Sequence, residues 1–319
     1  MASECTFVSP SGSRCIEAAL SDGKCFWHAQ TDKRNPELKS TLENKARKGD
    51  VLAGYCLAGM DLSDVYLIEA VLSSADLSRA NLSNGHLFGI NFSHASLFKA
   101  NLREANLKEA NLENTNLLGA DVTGANLERV VWGKGHKVQN HPEADDFHEK
   151  GLHDQARAKY LEAEEIYRNI RKCYEAAGTS DVAGYFFYNE MVTKRKQMPP
   201  RSFERFWSWL IDLLCGYGEI PYRIIGSSIA YVLINALVFS ALGLSHNNQV
   251  YTFERELGLA ENLEFLGYAV YFSVVTFTTL GYGDFAPLGW ARAFAAIEAF
   301  VGAFMIALFI VSFVKKMTR

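Results

Sequence analysis

The chain has 319 residues, 49% of them hydrophobic, a formal net charge of −4 and a mean hydropathy near zero (−0.04). That length allows two or three domains, while near-neutral charge without a basic stretch argues against nucleic acid as a partner. The averages hide an asymmetry: the first 200 residues are polar and charged, and the last 120 hold nearly all the long apolar runs.

The N-terminus lacks the charged, apolar and small-residue sequence of a secretory signal, so the first 200 residues are expected in the cytosol. A reducing compartment disfavours disulfides among the six cysteines, at 5, 15, 25, 56, 173 and 215. Within residues 1–50, Cys5, Cys15, Cys25 and His28 supply three thiolates and an imidazole, the donor set of a closed tetrahedral structural Zn2+ site. The spacing fits no common zinc finger, and isolated reduced thiols are the alternative. Only a metal or tertiary contacts would order a stretch so poor in apolar residues.

From Leu57 to Leu127 an apolar residue recurs every fifth position, including Leu62, Leu67, Phe92, Leu97 and Val122, which makes fifteen pentads. Neither a 3.6-residue helix nor a period-two strand puts every fifth residue on one side, whereas a coil with four five-residue sides does. The triplet Ala-(Asp/Asn)-Leu recurs, as at Ala75-Asp76-Leu77, Ala80-Asn81-Leu82 and Ala100-Asn101-Leu102. Residues 51–132 thus resemble the pentapeptide-repeat family. The resemblance implies a right-handed quadrilateral β-helix with the central Leu or Phe and the small residue two before it pointing inward. Such a stack would rise about 19 Å at ~4.8 Å per coil. Arg103 and Lys108 interleave with Glu104 and Glu109, which favours a scaffold over an acidic DNA mimic.

Residues 140–198 read as a helical hairpin linker. Ala156, Tyr160, Ala163, Tyr167, Ile170, Tyr174 and Ala177 make an amphipathic helix over 154–177, which Gly178 stops. Asp181 and its neighbours offer a cap for a second helix through Val182, Phe186, Phe187 and Met191. His136, His141, His148 and His153 are expected in a solvated loop. Residues 200–216 carry Phe203, Phe206, Trp207, Leu210 and Leu214 on one face, too short to span, and read as an interfacial helix on a lipid bilayer; a buried core helix is the alternative.

Within 221–319, Ile224 to Leu244 is an uncharged stretch of about 32 Å at ~1.5 Å per residue, enough to cross a ~30 Å hydrocarbon core. Phe294 to Val314 is a second apolar run, interrupted only by Glu298 and stopped by Lys315, Lys316 and Arg319. Lys194, Arg195, Lys196 and Arg201 precede the first span, while Glu254, Glu256, Glu261 and Glu264 outnumber Arg255 between the spans. The positive-inside bias therefore predicts both termini in the cytosol, a multi-pass plasma-membrane protein and an acidic outer mouth.

Phe265 to Thr278 is apolar but too short to cross, and ends in Thr278-Thr279-Leu280-Gly281-Tyr282-Gly283-Asp284. Non-helical backbone at membrane depth survives only where protein buries it or water lines it, so a re-entrant half-helix and loop are expected. The order of span, pore helix, TTLGYGD and span resembles two-span potassium channels of the inward-rectifier and bacterial pore type. On that resemblance Gly281 and Gly283 let the carbonyls of Thr279, Leu280, Gly281 and Tyr282 face an axis and replace the hydration of K+ ions, with Thr279 the innermost ligand. Leu280 stands where relatives carry Val or Ile. Tyr271 and Phe272 are expected to brace Tyr282. Val275 stands where many relatives place a supporting glutamate, a role that Glu298 is expected to take, with a bland helix contact as the alternative. Gly302 is expected to bend the second span, and Ala303, Ile306, Ile310 and Val314 to line a cavity and gate.

One filter per chain cannot enclose an ion, so a homotetramer is expected. The fold class is a multidomain membrane protein: pentapeptide β-helix, helical hairpin and all-α two-span pore. Its expected function is passive, potassium-selective conduction, with the cytosolic repeat domain supporting assembly or binding a cytosolic ligand or protein. A less selective cation channel and a membrane-tethered scaffold are the alternatives. No Gly-rich phosphate loop and no nucleophile with its base point to an enzyme.

Overall fold

The computed structural model describes residues 4–9, 12, 14–33, 35–247, 249–253 and 258–317. The chain forms two compact units that divide between Arg205 and Phe206. Glu254, Arg255 and Glu256, on which the acidic outer mouth was expected in part, lie outside the described residues.

In the first unit the backbone stacks in steps of twenty residues, four pentads at a time. Cys56 bridges Asp76 in parallel, Asp76 bridges Ser96 and Ser96 bridges Asn116, and equivalent bridges run to Asn111 with Val131. The pentad centres from Leu57 to Leu107 are fully buried, each contributing about 1.5–3 kcal/mol. Every step turns through a left-handed residue, and most of these are not glycine: Asp64, Glu69, Ser74, Arg79, Lys99 and Glu104 all have φ between 55° and 60°. Left-handed backbone costs roughly 1–2 kcal/mol per residue. It is offset by hydrogen bonds made twice per corner, as when Leu62 N–H donates to Asn81 O (2.7 Å) and Asp64 N–H to Ser83 O (2.8 Å). The Asp or Asn of the triplet accepts the amide two residues on, as Asp76 does from Ser78 (3.0 Å) and Asn91 from Ser93 (3.0 Å).

Helix α1 (Glu37–Arg47) is unforeseen by the sequence reading, because its polar composition gives only Leu42 as a fully buried anchor. At the far end of the coil α2 (Asn140–Glu149), α3 (His153–Ala176) and α4 (Ser180–Gln197) pack together. The hairpin offers a packing surface as well as a link. Tyr174 donates its hydroxyl to Leu127 O (2.9 Å) and accepts from Trp132 Nε1 (2.9 Å), while Cys173 Sγ lies 3.2 Å from Val122 O. It caps the last coil, whose apolar interior would otherwise meet water. His141 is a correction to the expected solvated loop. It lies on α2, is 1% exposed, and its Nδ1 sits 2.8 Å from the Tyr167 hydroxyl. Burial pushes its pKa down to about 4. His148 and His153 stay at the surface.

Helix α5 (Phe203–Cys215) precedes the pore elements, and most of it belongs to the second unit. Phe206, Trp207, Trp209, Ile211 and Leu213 are exposed, the opposite of a core helix, and Asp212 is buried against Arg223 (2.6 Å). The first long apolar helix, α6 (Pro221–Leu242), begins at a helix-initiating proline. It ends two residues before the expected limit, because Gly243 at φ 91° turns the chain. Leu244 instead opens strand β1 (Leu244–His246), which pairs antiparallel with β2 (Gln249–Tyr251) and with β3 (Ala286–Pro287) in the order β2-β1-β3. Between them lies α7 (Leu259–Phe277). It starts six residues before the expected pore helix, because the Glu261 carboxylate accepts the free Gly258 amide (3.2 Å). Helix α8 (Ala291–Met317) completes the unit.

Candidate pore and selectivity loop

Thr278 caps the end of α7, its hydroxyl folding back to Val274 O (2.7 Å), and the loop that follows has an alternating backbone. Thr279 (φ 58°), Gly281 (φ 57°) and Gly283 (φ 79°) are left-handed, whereas Leu280 and Tyr282 between them are not. Alternation of left- and right-handed residues turns successive N–H groups to one side and successive carbonyls to the other. The N–H side is fixed: Leu280 N donates to Val275 O at 3.0 Å, and Gly281 N reaches the same oxygen at 3.5 Å. Both amides thereby tie the start of the loop to the end of α7. The sequence accounts for the two glycines; a β-branched Thr279 in this conformation was not foreseen, and it is a strained position at the functional loop.

The supporting contacts differ in part from those expected. Tyr282 is 68% exposed in the single chain. Phe272 packs edge-on against Phe239 of α6 (4.9 Å between ring centres), because its side of α7 faces the first span. Tyr271 instead hydrogen-bonds the Asp284 carboxylate and lies beside Phe285 (6.0 Å). The outer end of the loop is held by the small sheet: Ser245 pairs with Ala286, His246 Nδ1 donates to Asp284 O (2.8 Å), and the imidazole stacks on Phe285 (4.5 Å). No periodicity marks strands this short.

Glu298 is fully buried and hydrogen-bonds Ser273 of α7, whose hydroxyl also lies 2.9 Å from Val232 O of α6. One carboxyl group thus joins all three helices two residues from Val275. The sequence singled out Glu298 but missed Ser273, a small polar residue in an apolar helix. Glu298 Oε2 has no hydrogen-bond partner among the described residues.

Gly302 lies inside α8, which runs without a break through it, and has a packing role that the sequence did not reveal. A Cβ there would sit 2.1 Å from Phe277 O and 2.9 Å from Phe277 C. Gly302 therefore lets the end of the pore helix touch the α8 backbone. Ala303, Ile306, Ile310 and Val314 form one exposed stripe beside the buried Gly302, Met305 and Ser312. Ser312 donates to Gly218 O (2.8 Å) and Lys315 pairs with Glu219, so the end of α8 is fastened to the turn between α5 and α6.

At the other end of the chain the ligand atoms of Cys5, Cys15, Cys25 and His28 all lie within 4.8 Å of one another. The structure brings this expected group together, three of the four side chains being buried.

The ion channel family matches residues 228–319, and pentapeptide repeats in eight copies match 51–87 and 90–129. No curated protein matches the chain. Among solved structures, a pentapeptide repeat protein from Nostoc PCC 7120 is 35% identical over 27% of this chain and 72% of its own, with a TM-score of 0.26. One from the cyanobacterium Cyanothece 51142 is 41% identical over 26% of this chain and 52% of its own, with a TM-score of 0.20. A third, from the Arabidopsis thaliana thylakoid lumen, is 31% identical over 23% of this chain and 51% of its own, with a TM-score of 0.23. The chain spans about half the length of the latter two. With α6 and α8 both long and apolar enough to cross a bilayer, the chain is a membrane protein in which an ion channel domain is fused to a pentapeptide-repeat domain.

Proposed function

We propose that the protein is a homotetrameric, potassium-selective channel whose filter is Thr278 to Asp284. The observation that carries this reading is the alternating backbone of Thr279 to Gly283, with the Leu280 and Gly281 amides tied to Val275 O, which would turn a row of carbonyls towards a shared axis. Four copies of that row around an axis would replace the hydration shell of K+, while a scaffold that only needs anchoring has no use for it. Tyr282 and Leu280, exposed in one chain, would be covered by neighbouring subunits. The filter is braced by Tyr271 on Asp284, by the Val275 carbonyl, and by Glu298 through Ser273. The stripe of Ala303, Ile306, Ile310 and Val314 lines the cavity and gate.

In this reading α6 and α8 cross the plasma membrane with both termini in the cytosol, and α5 lies in the inner headgroup region. The repeats form a right-handed quadrilateral β-helix that supports assembly or receives a cytosolic ligand or protein. The fastening of Ser312 and Lys315 to the turn after α5 gives that domain a path to the gate. The test is K+ efflux from liposomes holding the purified chain. Wild type is expected to release K+ and to run as four copies in native mass spectrometry. Gly281→Ala, which puts a side chain on a left-handed filter residue, is expected to stop efflux without changing the tetramer. Absence of efflux from wild-type tetramers would contradict the reading.

A further inference from the structure

The second candidate site lies in the first unit, at the open edge of the first coil. Three ligand separations are informative. Cys15 Sγ lies 3.8 Å from Cys25 Sγ, Cys5 Sγ 3.5 Å from His28 Nδ1, and Cys25 Sγ 3.1 Å from His28 Nδ1. A tetrahedral zinc with sulfur at ~2.3 Å and nitrogen at ~2.0–2.1 Å has S···S edges of ~3.8 Å and S···N edges of ~3.5 Å. Two of the separations match those edges and the third is a little short.

The surroundings are those of a ligand set held in place. His28 Nε2 donates to Ala53 O (3.0 Å), which leaves Nδ1 unprotonated and aimed at the three sulfurs. The Cys25 amide donates to Cys5 Sγ (3.1 Å), a bond that favours a thiolate. Phe7 stacks on the imidazole (4.0 Å between ring centres), and its ring lies where a Cβ on Gly54 would be (2.2 Å). Three soft sulfurs and one imidazole, without a carboxylate or an open fourth position, select Zn2+ over Mg2+ or Ca2+.

We propose that Cys5, Cys15, Cys25 and His28 bind one structural Zn2+ per chain, and that this ion fastens the N-terminal segment over the first coil. The segment closes the stack by two main contacts: Cys56 N–H donates to Trp27 O (2.8 Å), and Trp27 stacks on Tyr55 (5.3 Å). Both involve Trp27, the neighbour of His28, and residues that follow the Ala53–Gly54 turn. Terminal coils of solenoids need such caps, and this one has few apolar side chains with which to hold itself. The site stands independently of which ion the pore conducts.

The test uses the full-length protein purified in detergent under reducing conditions without chelator. Elemental analysis is expected to find about one zinc per chain, falling below about a tenth in Cys25→Ser and in His28→Ala, with Cys56→Ser and Cys173→Ser unchanged. Exchange with Co2+ is expected to give thiolate-to-cobalt absorption and the intense visible bands of a tetrahedral site. Because a variant that loses metal could simply misfold, wild type is also stripped with chelator and followed by amide hydrogen exchange. Faster exchange at Leu52 and Gly54, with Leu102 and Leu107 unchanged, is the expected result. Wild type free of stoichiometric zinc, a Cys15–Cys25 disulfide in its place, zinc retained by Cys25→Ser, or an exchange pattern indifferent to chelation would each overturn the proposal.

Discussion

The repeat domain and the channel domain are both built on leucine, isoleucine, valine and phenylalanine, yet one buries them within a single chain and the other leaves many exposed. In the coil the apolar side chains turn inward, and every pentad centre from Leu57 to Leu107 is fully buried. In α8 the residues Phe300, Phe304, Ile310 and Val311 are 54–66% exposed, and the loop after α7 leaves Leu280 and Tyr282 bare. The difference lies in where the backbone hydrogen bonds go. A coil satisfies each rung with its own next turn, whereas a filter must keep its carbonyls unpaired for an ion. The first can be complete alone; in the proposed channel the second is completed by lipid and by other copies.

The comparison breaks most sharply at Gly302. Gly302→Val drives a side chain into the Phe277 backbone, which cannot give way as a flexible side chain can. We expect ion flux to be lost altogether while the repeat domain keeps its circular dichroism and melting temperature. Near-normal flux would show that α7 and α8 do not depend on this contact.

Leu97→Ala is the counterpart in the coil. It removes a fully buried side chain and should cost about 2–5 kcal/mol, lowering the thermal midpoint of the repeat domain while the K+/Na+ permeability ratio stays constant. A changed ratio would mean that the two domains are not separable in this way.

Acid gives a third, smaller contrast, in the helical cap. His141 stays neutral when folded down to pH about 4, whereas the unfolded chain takes up that proton near 6.5. The unfolded state therefore binds more protons between these values, and stability falls as pH drops through them, by about 3 kcal/mol at most. Burial alone would raise Asp145, but hydrogen bonds from Lys196 and Tyr160 and the Lys196 charge outweigh it and hold the carboxyl down to about 2. Its contribution is present above the unfolded value of about 3.8 and is lost as pH falls further towards 2. Melting curves from pH 7 to 4 should show a falling midpoint that His141→Phe flattens. A wild-type midpoint unchanged over that range would contradict the assignment.

The smallest effect is expected at Lys315, partly buried against Glu219. Such a pair contributes about 1 kcal/mol or less, so Lys315→Ala should alter open probability by no more than about fivefold and leave selectivity alone. An altered reversal potential would place this pair in the permeation path, and not at the fastening of α8.

The coil was legible because its period is rigid: one inward residue in five, with an Asp or Asn beside it to bind its own turn. The two long apolar helices were legible for a similar reason, since membrane thickness leaves few solutions. What escaped was held by single contacts without a period. Ser273 looks like a tolerated polar residue until Glu298 and Val232 O are seen around it. Gly302 reads as a flexible point until Phe277 O is found against it. The α2 helix and His141 looked solvated because their apolar partners, Tyr160 and Tyr167, come from another helix. The left-handed φ of Thr279 follows from the alternation on either side of it, and no propensity favours it.

In the proposed channel the carbonyls of Thr279 to Gly283 accept dehydrated K+ in preference to Na+. The most direct measurement is the reversal potential of the purified protein in a planar bilayer with K+ on one side and Na+ on the other. A K+-selective filter gives a potential displaced far towards the K+ equilibrium value. A reversal potential near zero, meaning equal permeability, would contradict it.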